Sequence, residues 1–533
     1  MGARNCIQSS SMDDIREILC QLERDGVRLW SAKGELRYRA QHGRLTADAM
    51  KRIRTRKTAI REYLESLQAA VATEPPFARR APSDPVPFTF TQQWWSSAIQ
   101  SFVTPNGSDP CNMRLCCEAI RIYGRLDLGS LRRSFEELIQ RHESLRTRMV
   151  IVDGVPMQEV CRAHPCELEF IDLSWMSPKH IQDEARRLAV DLVYESVGPW
   201  FAARILKLGD HDHVLIVGIN HVIADGVSMS ILSRDLWALY SQSVRGLPGL
   251  LPDMPIQFAD YAVWQHRNAK WWMDERGGYW KERLADAPGP QFPHEGLTKG
   301  AHARSMNCSI KFGESLSAGL RELSRRECTT LVMSVLTIYA ATVFRWQGTR
   351  DLVVRFMTTG RDCSELENII GFLASVLHFR IQMDEDDTFL SLLRRVSSER
   401  NIAYQNNDYG RMSVLSPMLD CQRSTFFLWQ LRADLDHEGT VRILTVHADD
   451  ALTAEPFPTT PVTDIVWYCD TQRPPEDPGL ELWDSVNGIT GVISYRSDLF
   501  SSDTIERFCR NFRSFAAGIL ARPRARIMEL CYS

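Results

Sequence analysis

A histidine followed by an aspartate and a glycine is the clearest candidate for chemistry in this chain. The segment HVLIVGINHVIADGVSMSIL places His221 directly after an apolar run that ends at Asn220, and Asp225 and Gly226 follow four and five residues later. An imidazole titrates near neutrality and can take a proton from an amine or a hydroxyl. The aspartate could hold the loop through an ion pair, and the glycine allows a sharp backbone bend.

The elements around these residues are predicted to be a strand and a helix. The run VLIVGI before Asn220 is apolar throughout and predicts a buried strand, and residues 227–240 predict the helix after it. His221 is therefore expected where the strand opens into a loop. A structural histidine that is hydrogen-bonded at the end of a strand, beside an ordinary Asp-Gly turn, would show the same sequence pattern. Spacing alone thus leaves a catalytic and a structural role open.

The composition is that of an ordinary soluble globular chain with several domains. It has 533 residues, of which 44% are hydrophobic and 24% charged, and its net charge of -4 gives no electrostatic reason to expect nucleic acid. Neither a membrane span nor a secretory signal is visible. The 14 cysteines contain no C-x-x-C pair, so neither a zinc site nor a disulfide framework is indicated. We expect reduced thiols, no metal and a cytoplasmic protein.

Four segments are predicted along the chain. Residues 1–70 form a small unit with a helix over 12–25, two strands (27–30 and 35–39) joined at Lys33-Gly34, and a helix capped by Thr46. Residues 71–86 are rich in proline and alanine and are expected to be a linker. Strand-like and helical patterns then alternate, which predicts an α/β body of two halves, 87–284 and 285–533.

A series of motifs in the body resembles the condensation domains of nonribosomal peptide synthetases. The His-x-x-x-Asp-Gly segment is similar to the second histidine, aspartate and glycine of their H-H-x-x-x-D-G signature. The other motifs follow the family's order: GRLD (124–127), RHESLRT (141–147), PIQFADYAVWQ (255–265), YWKERL (279–284), ENIIGFLASVLHFR (367–380) and GVISYRSDLFSSDTIERF (491–508).

This resemblance implies an α/β fold of two chloramphenicol-acetyltransferase-like lobes, a V-shaped pseudo-dimer with a substrate tunnel. It implies transfer of an acyl chain from the phosphopantetheine thioester of a carrier protein to a hydroxyl or amine, with no cofactor of its own. His221 would act as general base or position the nucleophile. Asp225 would be structural, with Arg146 as the candidate partner, and the N–H of Gly226 would donate to the oxyanion.

The chain departs from the family pattern at several positions. Asn220 replaces the first histidine of the signature and cannot titrate. The opening element keeps only Gln92 in register. Ser375 stands where the family has asparagine and His378 where it has proline, which makes both of them candidate tunnel residues. These changes suggest an unusual acceptor or acyl group.

The N-terminal unit resembles the docking domain first recognised in the tubulysin synthetase. In that family a hairpin captures the C-terminal tail of an upstream synthase, as expected for strand addition. Its basic residues would then attract an acidic tail: Arg28, Lys33, Arg37 and Arg39. A solvated basic face without a partner is the alternative.

No adenylation, carrier or thioesterase motif is visible, so the acyl chain is expected to come from another protein. The pattern resembles stand-alone enzymes that release or bridge chains in hybrid polyketide lines, as in the enacyloxin pathway, with a free or carrier-bound acceptor. We expect a monomer that binds neither nucleic acid nor membrane. The alternatives are a catalytically silent platform that recruits partners to a carrier protein, a coenzyme A acyltransferase, and an epimerisation domain.

Overall fold

The structure is a computed structural model. It describes residues 18, 27–32, 35–40, 47–62, 76–93, 115–163, 168–191, 201–246, 251, 253–287, 292, 305–407, 425–430, 441–443, 452–456, 478–485 and 488–530.

Strands and helices alternate through the described body, as the sequence predicts. The strands are β1 (Val27–Ala32), β2 (Glu35–Ala40), β3 (Val86–Pro87), β4 (Leu115–Tyr123), β5 (Thr147–Val152), β6 (Val155–Val160), β7 (Leu168–Asp172), β8 (Phe201–Gly209), β9 (Asp212–Asn220), β10 (Ser305–Lys311), β11 (Asp351–Thr358), β12 (Ser375–Gln382), β13 (Thr425–Gln430), β14 (Val441–Ile443), β15 (Leu452–Pro456), β16 (Gly479–Ser485) and β17 (Gly488–Arg496). The helices are α1 (Ala47–Thr55), α2 (Leu128–Arg141), α3 (Pro178–Asp191), α4 (Gly226–Arg245), α5 (Phe258–Arg267), α6 (Ala269–Glu275), α7 (Gly277–Leu284), α8 (Glu314–Arg326), α9 (Leu331–Gln347), α10 (Phe389–Gln405) and α11 (Ser502–Ala521).

Two large mixed sheets organise the described body. The first sheet has the order β14-β15-β4-β9-β8-β7, and the second has the order β10-β17-β16-β13-β11-β12. A small third sheet has the order β3-β6-β5. The first sheet contains β14 and β15 from the second half of the sequence, and β15 pairs antiparallel with β4. The first sheet therefore combines strands from both sides of the predicted boundary at residues 284/285.

Two apolar cores accompany these sheets. The first core packs one face of β4, β8 and β9 together with α2 and α4, and the second core lies among α8, α9, α11 and the second sheet. The first core also contains Leu366, Ile370 and Phe372 from the second half of the chain. Residues from both halves thus share one core beside His221.

Strand β9 is apolar from Val214 to Ile219 because both of its faces are covered there. Leu215, Val217 and Ile219 belong to the first core, whereas Val214 and Ile216 pack on the other face with residues of α3. Such two-sided burial explains a continuous apolar run without polar alternation. The predicted buried strand before His221 is confirmed.

The small N-terminal unit contains the predicted hairpin and helix. β1 and β2 pair antiparallel, with Arg28 opposite Arg39 and Trp30 opposite Arg37. Helix α1 starts directly after Thr46. Lys33 and most of the predicted helix at 12–25 lie outside the described residues.

The described part of the predicted linker, residues 76–86, packs against the body. The Phe77 ring lies 4.5 Å from that of Trp264, and Arg80 forms ion pairs of 2.9 Å with both Glu143 and Asp260. Val86 begins β3, which pairs with β6. This part of the segment is therefore fixed to the body, because its apolar and charged side chains find partners there.

Within the described ranges, no individual helix has the length and apolarity to cross a membrane. Helices α8 and α9 meet those criteria only when taken together, and the pair is bent by 108°.

Candidate active site

His221 lies in the turn that follows the end of β9. Its side chain is almost fully buried, with the residue 1% exposed. The ring of Phe372 meets the imidazole edge-on, with centroids 4.6 Å apart. Phe372 comes from the second half of the chain, so the two halves of the sequence meet at the candidate catalytic ring.

Asp225 caps the helix that follows and joins the two halves. Its Oδ1 accepts hydrogen bonds from the N–H and the hydroxyl of Ser228, at 2.9 and 2.8 Å, in a capping box at the start of α4. Its two oxygens also accept from the Nη1 and Nη2 atoms of Arg361, at 2.8 and 3.0 Å. The N–H groups of Leu373 and Ala374 donate to Oδ2 at 3.1 and 3.0 Å. Asp225 therefore fixes both the His221 loop and the segment from the second half.

The Asp225 carboxylate remains ionised although it is fully buried. Burial alone would raise its pKa, but the charge and hydrogen bonds of Arg361, with those of Ser228, outweigh this effect and hold the pKa below its usual value. Both side chains are almost inaccessible, at 3% exposed for Asp225 and 4% for Arg361. The pair is thus a buried, bidentate ion pair.

The predicted partner of Asp225 was wrong. Arg146 instead donates from Nη1 to the carbonyl oxygen of Cys161 at 2.5 Å, and its Nη2 lies 3.8 Å from a carboxylate oxygen of Glu143. These contacts hold the RHESLRT segment against the end of β6. Arg361 reaches Asp225 because its own segment turns back into the first core.

Two glycines make this turn possible. Gly360 has a φ of +62°, and a Cβ there would lie 1.9 Å from the carbonyl oxygen of Leu373. A Cβ at Gly371 would lie 2.3 Å from Cδ2 of Phe258. Any larger residue at these two positions would push the segment away from Asp225 and His221.

Asn220 and Gln92 shape the loop that holds His221. The Asn220 Oδ1 accepts from the N–H of Val222 at 3.0 Å, which is a structural hydrogen bond of the kind expected from the sequence. The Gln92 Nε2 donates to the carbonyl oxygen of Val222 at 2.7 Å. Gln92 is fully buried, so the residue that the opening element keeps in register has a direct structural role.

Gly226 is the accessible member of the motif. It is exposed and begins α4, and a Cβ built on it would meet no heavy atom within 4 Å. The glycine is therefore not required by local packing. Open space beside the first N–H groups of a helix suits the approach of a carbonyl that develops negative charge.

The two candidate tunnel residues lie on β12. The Ser375 hydroxyl is 2.9 Å from that of Thr358 across the strand pair, and Ser375 is buried. His378 is opposite Arg355 on β11, and burial, assisted by the charge of Arg355, lowers its pKa to about 3. A neutral, buried His378 does not act as a general acid at neutral pH. Its contact with substrate stays a prediction.

The RHESLRT segment supports the site through α4. The His142 Nε2 lies 3.0 Å from Asp235, which also pairs with Arg141 and Arg234. Burial lowers the pKa of His142 despite the nearby carboxylate. This network joins the end of α2 to the middle of α4.

Sequence reasoning missed two residues of this region. Arg361 forms the ion pair with Asp225, and its local signal is the Thr-Gly-Arg sequence directly after β11. Glu118 is a carboxyl on the inner face of β4, and its signal is a single acidic residue within the apolar run LCCEAI.

Models of known protein families match two parts of the chain. The condensation domain family model matches residues 91–427, which is more than half of the chain. The chain belongs to the condensation domain family. Residues 15–66 match the TubC N-terminal docking domain, so both predicted resemblances are confirmed. Membership supports condensation-type acyl transfer as the general chemistry of this condensation protein.

Curated relatives are large peptide synthetases. Tyrocidine synthase 3 of Brevibacillus parabrevis is 29% identical over 424 residues, which cover 77% of this chain. A linear gramicidin synthase from the same organism is 28% identical over 477 residues, or 87% of this chain. The matches span 6% and 9% of the lengths of those two synthases.

Solved structures establish the fold. The X-domain from teicoplanin biosynthesis has a TM-score of 0.68 at 21% identity and covers 86% of this chain and all of that one. The condensation domain described for chain release from the enacyloxin polyketide synthase has a TM-score of 0.63 at 19% identity, with coverage of 95% and 96%. The predicted α/β condensation fold, with chloramphenicol-acetyltransferase-like lobes, is confirmed.

Proposed function

We propose that this condensation protein transfers an acyl chain from the phosphopantetheine thioester of a carrier protein to a hydroxyl or amine nucleophile at His221. The observation that carries this proposal is the fixed position of His221, between a buried strand and a helix start locked by the Asp225–Arg361 ion pair. Such rigid support is expected of a side chain that must orient a reacting atom.

In this reaction the nucleophile attacks the thioester carbonyl while His221 accepts its proton. The carbonyl oxygen becomes an oxyanion, which the N–H of the exposed Gly226 stabilises at the positive end of α4. Collapse of the intermediate breaks the carbon–sulfur bond, and the departing pantetheine sulfur takes the proton back from the imidazole. The products are an ester or an amide and a free thiol on the carrier arm.

The donor is proposed to arrive through the N-terminal unit. The TubC-type match covers the hairpin, and the register places Arg28, Arg37 and Arg39 on its two strands. A hairpin with backbone groups available at its edge suits addition of a strand from an upstream synthase. By analogy with the enacyloxin domain, the reaction is proposed to release or bridge a chain in a hybrid polyketide and peptide pathway, with a small or carrier-bound acceptor.

The second candidate function is that of a protein with the same fold and no catalytic activity. The silent platform is favoured by Asn220 in the signature and by the near-complete burial of His221. In that role the protein would bind a carrier domain and a further enzyme. The two functions predict opposite results when His221 is removed.

The deciding experiment measures acyl transfer from an acyl-loaded carrier protein with intact-protein mass spectrometry. His221→Ala is compared with wild type and with His211→Ala, an exposed histidine beside the same strand. Removal of a general base is expected to lower the rate by about 10²–10⁴, whereas the His211 variant keeps the wild-type rate. Equal rates for all three proteins would refute catalysis by His221 and leave the platform as the function.

A further inference from the structure

Glu118 lies on the strand next to the one that leads to His221. Along β4, Cys116 and Ile120 belong to the first core, whereas Ala119 faces the opposite side of the sheet. Glu118 shares the face of Cys116 and Ile120 because strand side chains alternate. It is paired with Val217 of β9.

This face leads to the active-site loop. The thiol of Cys116, two residues before Glu118, lies 3.9 Å from the carbonyl oxygen of Ala224, the residue before the capping aspartate. At about 3.3 Å per residue, the pairing with Val217 places Glu118 about 13 Å along the sheet from His221. On the other side of β4, strand β15 ends opposite Ile120, so Glu118 lies beyond the described end of that neighbour.

The Glu118 carboxyl is deep in the protein but still accessible. Burial raises its pKa to about 7, and no neighbouring charge contributes. The residue nevertheless keeps accessible surface. Across the described ranges it forms neither a hydrogen bond nor an ion pair. Without a cation beside it, the ionised form of a carboxyl in such dense surroundings is strongly disfavoured.

We propose that Glu118 is a specificity-determining residue that binds an ammonium group of the substrate. An ammonium would give the carboxylate the charge-assisted hydrogen bond that the protein does not supply. The strand geometry sets the ammonium about 10–13 Å from the atom that reacts at His221. This inference rests on the proposed function, because it places the reacting atom at His221. The ammonium belongs to the acceptor or to the acyl chain, and the test separates the two.

Binding is measured calorimetrically with matched probes at pH 8. For the acceptor, 7-amino-1-heptanol is compared with 1-heptanol; for the acyl chain, 8-aminooctanoyl pantetheine thioester is compared with octanoyl pantetheine thioester. In wild type, one of the two amino probes is expected to bind more tightly than its matched probe. Glu118→Gln should lower that affinity about tenfold or more and leave the matched probe unchanged, since a hydrogen bond to a charged group is lost. The probe that responds identifies the source of the ammonium.

Two variants with a neutral side chain at position 118 serve as controls for effects on folding. Glu118→Gln preserves the shape of the side chain, and Glu118→Met preserves its volume without polar atoms. Both should unfold no earlier than wild type at pH 8, because a buried carboxylate without a partner is removed. Unchanged affinity for both amino probes in either variant, or no preference for them in wild type, would overturn the assignment of Glu118. The His221→Ala variant should retain the amine preference in binding, so failure of the proposed catalysis would be seen separately.

Discussion

Replacing Arg361 by methionine tests whether the buried ion pair secures the active site. The substitution leaves Asp225 buried and ionised, with only the hydroxyl and N–H groups of its own neighbourhood to stabilise it. Removing one partner of a buried pair typically costs about 3–5 kcal/mol, because the remaining charge is uncompensated. Since Asp225 also caps α4 and holds Leu373 and Ala374, loss of Arg361 should loosen the His221 loop as well. We expect Arg361→Met to be less stable by this amount and to have a much lower kcat.

The assay is urea unfolding at pH 7, followed by acyl transfer under conditions where the variant is folded. Arg394→Met is the control, because Arg394 is 73% exposed and lies 3.6 Å from Glu327, so its loss should change neither quantity measurably. A decrease of less than about 1 kcal/mol for Arg361→Met would refute the reasoning, because that is the range of a surface pair.

The pH dependence gives a second check on this variant. The pKa of Asp225 is lower in the folded protein than its ordinary value of 3.8, so the stabilisation is present above that value and is lost as the pH falls through the folded pKa. In Arg361→Met the buried carboxyl has lost its cation, so burial should raise its pKa and it should take up a proton at a higher pH than in wild type. The difference in stability between the two proteins should therefore be largest near pH 8 and shrink as the pH falls towards 4. A difference that stays constant from pH 8 to pH 4 would mean that the Asp225 carboxyl is not the group left uncompensated in the variant.

Three further predictions concern other parts of the molecule. Gly371→Ala should destabilise the fold by about 1–3 kcal/mol, because its Cβ would overlap Phe258. Gly226→Ala should unfold like wild type and yet slow acyl transfer. Equal unfolding curves for the two variants would contradict this expectation. The pKa of His378 is lowered to about 3, so the folded protein resists protonation of this ring. The free energy of unfolding of wild type should therefore fall by about 1.4 kcal/mol per pH unit below pH 6.5, relative to that of His378→Leu. Parallel curves of stability against pH from 4 to 6.5 would contradict the effect of burial. Deletion of residues 1–70 should raise the KM for the carrier-bound donor and leave turnover of a small thioester surrogate unchanged; an unaltered KM would argue against docking.

Local structure around His221 could be predicted because it is encoded in neighbouring residues. The uninterrupted apolar run fixes β9, and the Asp-Gly start with Ser228 at the third helical position fixes the beginning of α4. The hairpin at residues 27–40 follows from its own turn and alternation. In each case the determining contacts lie within a few residues of one another.

Long-range partners could not be predicted in the same way. Arg361 is 136 residues from Asp225 in sequence, and nothing near Asp225 specifies which of the many arginines returns to it. Arg146 was chosen for its motif, but its Nη1 donates to Cys161 at the end of its own hairpin. The crossing of β15 to β4 is equally non-local. Such contacts depend on how the two halves of the chain pack together, and this packing cannot be predicted from local patterns in a single sequence.

The position of Asp225 explains why this non-local contact matters for chemistry. One carboxylate ends the loop that contains His221, begins the helix whose N-terminus is available at Gly226, and accepts two backbone N–H groups from the segment that brings Phe372 against the imidazole. A shift of the second half relative to the first would thus break the ion pair before it could move His221 away from Phe372. Because a buried charge separates from its partner only at high cost, the two halves are expected to keep one relative arrangement at the catalytic ring while substrates exchange elsewhere along their interface.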